Sequence, residues 1–496
     1  MNKKIITYII LFLCLFMLPA ASVSASETIG NNAKGIPDRG LYQEILKKLG
    51  KKPKQKFTKQ EAEQIKSLST SSKIKNLKGI KYLKNLKKLD LESGGLKNLK
   101  GIESLTNLDT LNISRNSIKS LKPLRKLKKL KKLDASENKL KNLSGIEKLT
   151  ALKRLDLEAN ELQSVKELKN LSNLTIVNLD RNNLKNLKGF GKQKKLSVLV
   201  LRDNKLTGIK ELKNLKNMEN LDLSVNEITG LKGLENLKKL TVLNAGRNKL
   251  TNIQELKKLT KLQELYLNEN QLTSLKGVET LKKLRILQAE SNRLGSLADI
   301  RTLTNLESLS VDHNQLVNVE EVTSLKKLGG LGISFNKIIN LPNLASHPNL
   351  SVVAFRFNQL SESIESVKAK LPRSSFSYGE EWLDEEYSLQ NLNYTMDLTD
   401  PVSVEQINSN TVRIAGRIHM PAEKIKLLIE ENLNDDESFE TCFYADVNEN
   451  GEFIFENLNL KKYGGARCDF RIGICYAYEK ERDSYTDTSV RWYRIK

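Results

Sequence analysis

Leu108-Asp109-Thr110-Leu111-Asn112-Ile113-Ser114-Arg115-Asn116-Ser117-Ile118 is the stretch from which the rest of the chain can be read. Its asparagine returns every 22 residues, at Asn116, Asn138, Asn160, Asn182, Asn204, Asn226, Asn248, Asn270, Asn292, Asn314, Asn336 and Asn358, and the spacing never slips. Twelve copies of one unit therefore follow each other without insertion. From Leu111 to Ile113 the apolar residues alternate, as a short strand with one buried face requires. Beyond the asparagine they come every third position, at Ile118, Leu121, Leu124, Leu127 and Leu130. A period of three suits a 3₁₀-like or extended return better than an α-helix.

This is the leucine-rich-repeat pattern. The implied fold class is an α/β repeat solenoid, a right-handed horseshoe or curved rod with a parallel inner sheet. Each Asn amide, with donors and an acceptor, can bond the backbone of its own coil and of a neighbour, so the twelve read as a buried structural ladder. Ser72 and Gly94 hold the same register without Asn, followed by Ile74 and Leu96, as atypical terminal repeats do. About fourteen strands spaced ~4.8 Å apart give a sheet on the order of 65 Å long.

Residues 1–25 read as a secretory signal peptide: Lys3 and Lys4, an apolar run from Ile5 to Ala20, and a small-residue cleavage site at Val23-Ser24-Ala25. The expected product is secreted or extracellular. It has no transmembrane anchor after cleavage and no covalent wall anchor, and it is monomeric. The formal charge of +23 is unevenly spread. Residues 374–496 hold 13 Lys and Arg against 24 Asp and Glu, which places a domain boundary near residue 374.

Residues 26–75 read as a helical cap. Leu41, Ile45, Leu46 and Leu49 have helical spacing ended by Gly50, and Thr58 with Glu61 makes a capping box. The run from Ile36 through Leu49-Gly50-Lys51, then Thr58, Glu61, Ile74-Lys75-Asn76-Leu77 and Gly79-Ile80-Lys81-Tyr82-Leu83, resembles the cap and first repeat of internalins. Those are secreted or surface leucine-rich-repeat proteins of Gram-positive bacteria. The element Leu231 to Leu237 is similar to that family's 22-residue repeats. The resemblance spans residues 36–373 and implies repeats over 76–373, with binding of a protein on their inner face. It leaves the ligand open.

Residues 374–400 are expected to form a C-terminal cap or linker. Strand-like runs follow at Val402–Ile407, Thr411–Ile418, Lys424–Glu430, Phe439–Val447, Glu452–Asn457, Asp469–Tyr478 and Ser489–Ile495. Seven strands with turn signals between them suggest an all-β, Ig-like sandwich over 401–496, a layout similar to internalins. Asn450-Gly451 predicts a hairpin in preference to a calcium loop beginning at Asp446. Cys442, Cys468 and Cys475 are odd in number, so at least one is unpaired in the monomer. A bridge from Cys442 to either partner stays open.

Catalysis has little to rest on. His313, His347 and His419 are scattered, and neither a phosphate-cradling glycine loop nor a nucleophile elbow occurs. No enzyme, cofactor, metal or nucleic acid is expected. The inner face lies six, four and two residues before each ladder Asn. Its acids are Asp134, Asp156, Glu158, Asp180, Asp222, Glu264, Glu290 and Asp312, against Lys132, Arg154, Arg202 and Arg356. Ile176, Val198, Val200, Val242 and Ile286 put apolar groups there, with Tyr266 and Arg202 close in register. Such a group marks a contact surface, or reflects the strand preference of β-branched residues. Ser308, Ser310, Gly330, Gly332, Ser334 and Ala354 leave a bare floor near Phe335 and Phe357, which either grip a partner or pack under a cap containing Trp382 and Tyr387.

The expected function is non-covalent capture of a host or cell-surface protein on the inner face, with a role in adhesion or virulence. The alternative is an envelope-associated structural protein whose Lys-rich outer face binds an anionic cell-wall polymer.

Overall fold

The structure, a computed structural model, describes residues 27–70, 72–355 and 357–372 and seven strands between residues 403 and 494. The signal-like segment, Arg356, Trp382, Tyr387, His419, Cys468 and Asn450-Gly451 lie outside the described residues. The chain forms two compact units. The first runs through Gly332 and includes Pro342–Val353; the second holds Ile333–Leu341, Ala354–Leu371 and the C-terminal strands.

In the first unit a short helix, Arg39–Lys48, starts at Asp38, whose Oδ1 accepts the Leu41 N–H at 3.0 Å. The other carboxylate oxygen accepts the N–H groups of Lys75 and Asn76 at 2.8 and 3.2 Å, so one side chain caps the helix and fastens it to the first coil. A second helix, Lys59–Gln64, opens with the Thr58–Glu61 capping box. Tyr42 and Phe57 are buried between these pieces with ring centroids 5.5 Å apart.

Fourteen parallel strands, from Ser67–Ser69 to Val352–Ala354, then follow in chain order in one sheet. Nearly all are three residues long because only the middle residue is buried: Leu111 is buried between half-exposed Thr110 and Asn112. The returns are 3₁₀ helices, such as Lys122–Lys126 and Lys166–Asn170, or turns. Their leucines are fully buried, as at Leu121, Leu124, Leu127 and Leu130, and each such side chain stabilises the stack by roughly 1.5–3 kcal/mol.

From Asn116 to Asn314 every ladder side chain makes the same four bonds. In Asn226, Nδ2 donates to the carbonyls of Leu223 and Ser224 in its own coil and of Leu201 in the coil before, at 2.9–3.0 Å. Its Oδ1 accepts the Leu206 N–H at 3.0 Å. The residue just before each ladder position is left-handed without being glycine: Arg115, Glu137, Arg181, Val225, Arg247, His313 and their counterparts have φ between 50° and 55°. A side chain there costs on the order of 1–3 kcal/mol. The turn holds because these N–H groups bond the next coil, as Val225 does to the Gly246 carbonyl at 3.0 Å.

A second periodicity is superposed on the first. Gly101, Gly145, Gly189, Gly233 and Gly277 recur every 44 residues with φ between 106° and 129°. At Gly189 a Cβ would stand 2.1 Å from the Val165 carbonyl oxygen, so the preceding coil leaves no room for a side chain. The intervening coils carry Pro123, Glu167, Glu211 and Glu255 at that position.

In the second unit a short helix, Ile364–Lys370, follows the last coil. Seven antiparallel strands then occupy Ser403–Asn408, Thr411–Arg417, Lys424–Glu430, Thr441–Asp446, Glu452–Asn459, Arg471–Ala477 and Arg491–Arg494. Counted along the chain, first, second and fifth form one sheet; fourth, third, sixth and seventh form the other. The fourth strand pairs with the third and the fifth with the second. The sixth strand holds Cys475.

Two substitutions test this account. Asn226→Ala should lower unfolding free energy by about 1–3 kcal/mol, because the Leu206 N–H is left buried and unsatisfied, whereas the carbonyls of Leu201, Leu223 and Ser224 keep donors from Asn204, Asn248 and Asp203. Gly189→Ala should lower the urea midpoint clearly, whereas Gly208→Ala, with nothing within 4 Å of its Cβ, should leave it nearly unchanged.

Candidate binding face

Residues on either side of each buried strand leucine face out of the sheet, and strict register stacks them in rows. One row reads Ile176, Val198, Asn220, Val242, Glu264, Ile286. The next reads Asn178, Val200, Asp222, Asn244, Tyr266, Gln288. All twelve are half-exposed except Asn220, which is exposed. Ile176, Val198 and Val200 thus form one apolar group on adjacent strands, whereas Val242 and Ile286 alternate with Asn220 and Glu264. On its own strand Tyr266 donates its hydroxyl to Glu264 at 3.0 Å.

Several acids on this face serve the backbone. Asp134, Asp156 and Asp222 each accept the N–H two residues on, at 3.0, 3.2 and 2.9 Å, closing the turn after the strand. Asp222 also accepts the Ser224 hydroxyl at 2.6 Å, which places it in the turn and leaves it less available to a partner than the sequence suggested. Asn112, Asn178 and Asn244 do the same as neutral amides. This Asx-turn row has a sequence signal, a short polar residue four before the ladder Asn. The left-handed row has none, since no residue in it is glycine.

Other acids remain under-satisfied. Arg202 reaches Asp180 at 3.5 Å, yet Asp180 Oδ1 is buried without a hydrogen-bond partner. Burial, with the Glu158 charge, pushes the Asp180 carboxyl above its ordinary pKa despite Arg202. Asp156 is raised by burial and by its neighbours Asp134 and Glu158. Glu290 is raised by burial first and then by Asp312 and Glu269, and its Oε2 has no partner. Asp312 accepts the Ser310 hydroxyl at 2.7 Å. Acidic side chains therefore stand on both sides of the apolar group.

Phe335 and Phe357 belong to the second unit. Both occupy the left-handed position before a ladder Asn and stack with centroids 4.3 Å apart, half-exposed. His313 holds the equivalent turn position. His347 is buried and its Nε2 lies 3.1 Å from the Val322 carbonyl; burial lowers its pKa. Among the described residues no three His, Cys, Asp or Glu side chains could hold a metal ion, and no helix is long and apolar enough to cross a membrane.

The family model for leucine-rich repeats (two copies) matches residues 106–148, 128–170, 216–258 and 238–280. Among solved structures, the Leptospira interrogans leucine-rich-repeat protein LIC12759 is 30% identical with a TM-score of 0.59; the match covers 66% of this chain and 89% of that one. An internalin, InlF of Listeria monocytogenes, is 26% identical with a TM-score of 0.57, covering 68% and 94%. The chain belongs to the internalin-like leucine-rich-repeat family. The functional domain of InlJ from Listeria monocytogenes shares the fold at 19% identity and a TM-score of 0.59, covering 91% of this chain and 96% of that one. Its ladder is described as one of cysteines, where this internalin-like chain uses asparagine. No curated protein sequence matches.

The raised carboxyl at Glu290 predicts a pH dependence. Between the ordinary value of 4.5 and its raised folded value, the native state holds more proton than the unfolded chain, so stability falls as pH rises through that window. Glu290→Gln should be more stable than the parent at neutral pH and equal to it below about pH 4, where both side chains are neutral. Urea midpoints at the two pH values check this, and an equal difference at both would contradict it.

Proposed function

We propose that the protein captures a partner protein on the inner face over the strands from Ile176–Asn178 to Ser308–Ser310, as an exported binding module with an adhesion role. The observation that carries the reading is the apolar group of Ile176, Val198 and Val200 beside Arg202, with Tyr266 in the same row three strands on from Val200. Half-exposed apolar residues next to a guanidinium, with an aromatic side chain farther along the same row, have the composition of an interface centre. The charged residues around it then set register and reject wrong partners. Repeat architecture supports the reading, because a stacked sheet supplies a long preformed surface.

Similarity to internalins supports an extracellular setting, and the C-terminal strand order supports an Ig-like domain as a spacer. The array functions by binding and not by catalysis. Phe335 and Phe357 are assigned to the end of the stack and not to the binding centre, since they lie on the turn row and pack on each other.

The test is binding of purified residues 26–496 to epithelial cells. Saturable, salt-resistant binding is expected, and Tyr266→Ala or Val198→Asp should weaken it at least ~30-fold if each is a hot spot. Unchanged binding in both variants would remove the inner face from consideration.

A further inference from the structure

Where the chain leaves the sheet and turns toward its outer return, the N-terminal coils repeat one short element. Lys75-Asn76-Leu77-Lys78, Lys97-Asn98-Leu99-Lys100, Lys119-Ser120-Leu121-Lys122 and Lys185-Asn186-Leu187-Lys188 stand at equivalent places. In each, the leucine is buried, and the residue before it accepts the N–H of the second lysine through its side-chain oxygen, at 3.1, 3.1, 3.3 and 3.2 Å. That bond fixes the backbone, so both lysines recur in the same place from coil to coil. The two coils between add Lys141 to the first row and Lys166 to the second.

Ten lysines thus form two rows over six coils. All are exposed, and among the described residues only Lys141 enters an ion pair, with Glu161 at 3.6 Å. Other cross-coil columns are neutralised, as by Arg247–Glu269 at 2.7 Å and Lys249–Glu227 at 2.9 Å. Coils stack about 5 Å apart, inside the ~8 Å screening length at physiological salt, so successive lysines in a row repel one another. A chain of negative charges laid along the rows would reverse that interaction and release its counterions.

We propose that these two rows, on residues 75–188, form a track for a flexible polyol-phosphate polymer. The rows hold neither arginine nor an aromatic ring, so they offer no planar fork and no platform for a base. They present a series of compact ammonium charges, which suits phosphodiesters on a backbone without bases and is poorly suited to nucleic acid. The track is a different surface from the inner face and stands or falls independently of it.

The test uses residues 26–496 and poly(glycerol phosphate), titrated calorimetrically at several salt concentrations. Log affinity should fall linearly with log salt, by about 0.7 for each phosphate neutralised, as for flexible single strands. Changing Lys97, Lys100, Lys119, Lys122 and Lys188 together to Gln should weaken binding at least ~tenfold and flatten the slope. A control with Lys238, Lys239, Lys261, Lys282 and Lys283 changed to Gln has the same net charge and should bind within about twofold of the parent. Equal losses in the two variants would mean that net charge alone binds, and would overturn the track. So would tighter binding of single-stranded DNA of equal phosphate number, or affinity insensitive to salt.

Discussion

From Asn116 onward, each coil of this protein is closed by one asparagine side chain shared with its neighbour. The amide accepts a backbone N–H of the coil before it and donates to carbonyls of both coils, all at or below 3.2 Å in the ladder from Asn116 to Asn314. The turn beside it is intrinsically unfavourable, since thirteen successive coils place a non-glycine residue at positive φ. An isolated coil would not hold that conformation. Stacking supplies the partners that hold it, so the ladder and the strained turn stabilise only as an array. Any insertion would shift an asparagine away from its neighbour's backbone, which accounts for the unbroken 22-residue spacing.

That constraint also decides which polar residues of the inner face are available for recognition. Short acids and amides four residues before the ladder position close the turn, so Asp134, Asp156 and Asp222 are partly committed to backbone. Asp180 and Glu290 lie two residues before the ladder, and each has one unbonded oxygen buried out of a partner's reach. Recognition therefore rests on a subset of the acidic residues, on Tyr266 and on the apolar group around Val198. The lysine rows follow a different logic. There the repeat multiplies charge, and lysines that would be unremarkable singly become two rows because each of six N-terminal coils adds at least one at an equivalent place.

Much of this was readable in the sequence. The three-residue strands, the 3₁₀ returns and the Asn ladder follow from periods of two, three and 22, because buried positions tolerate little but leucine and its kin. The capping box at Thr58 and Glu61 was equally direct. The left-handed turn was not, because residues as different as Arg115, Val225 and Phe335 occupy it and the chain shows no glycine there. The 44-residue alternation was visible at Gly101, Gly145, Gly189, Gly233 and Gly277, but its cause is a clash with the preceding coil that only the stack shows. The inner-face rows were placed correctly by counting from each asparagine. The division of their carboxylates between turn closure and free surface required hydrogen-bond geometry.

Native-state amide exchange at the N–H groups that donate to the ladder oxygens tests the central claim most directly. Leu184, Leu206, Ile228 and Leu250 each donate to the Asn of the next coil. If the shared asparagine holds the array together, these four should exchange only through large cooperative openings, with similar and high protection in the central coils. Exchange of the four at the rates of solvent-facing loop amides, coil by coil, would show that the coils are held by leucine packing alone and that the ladder is incidental.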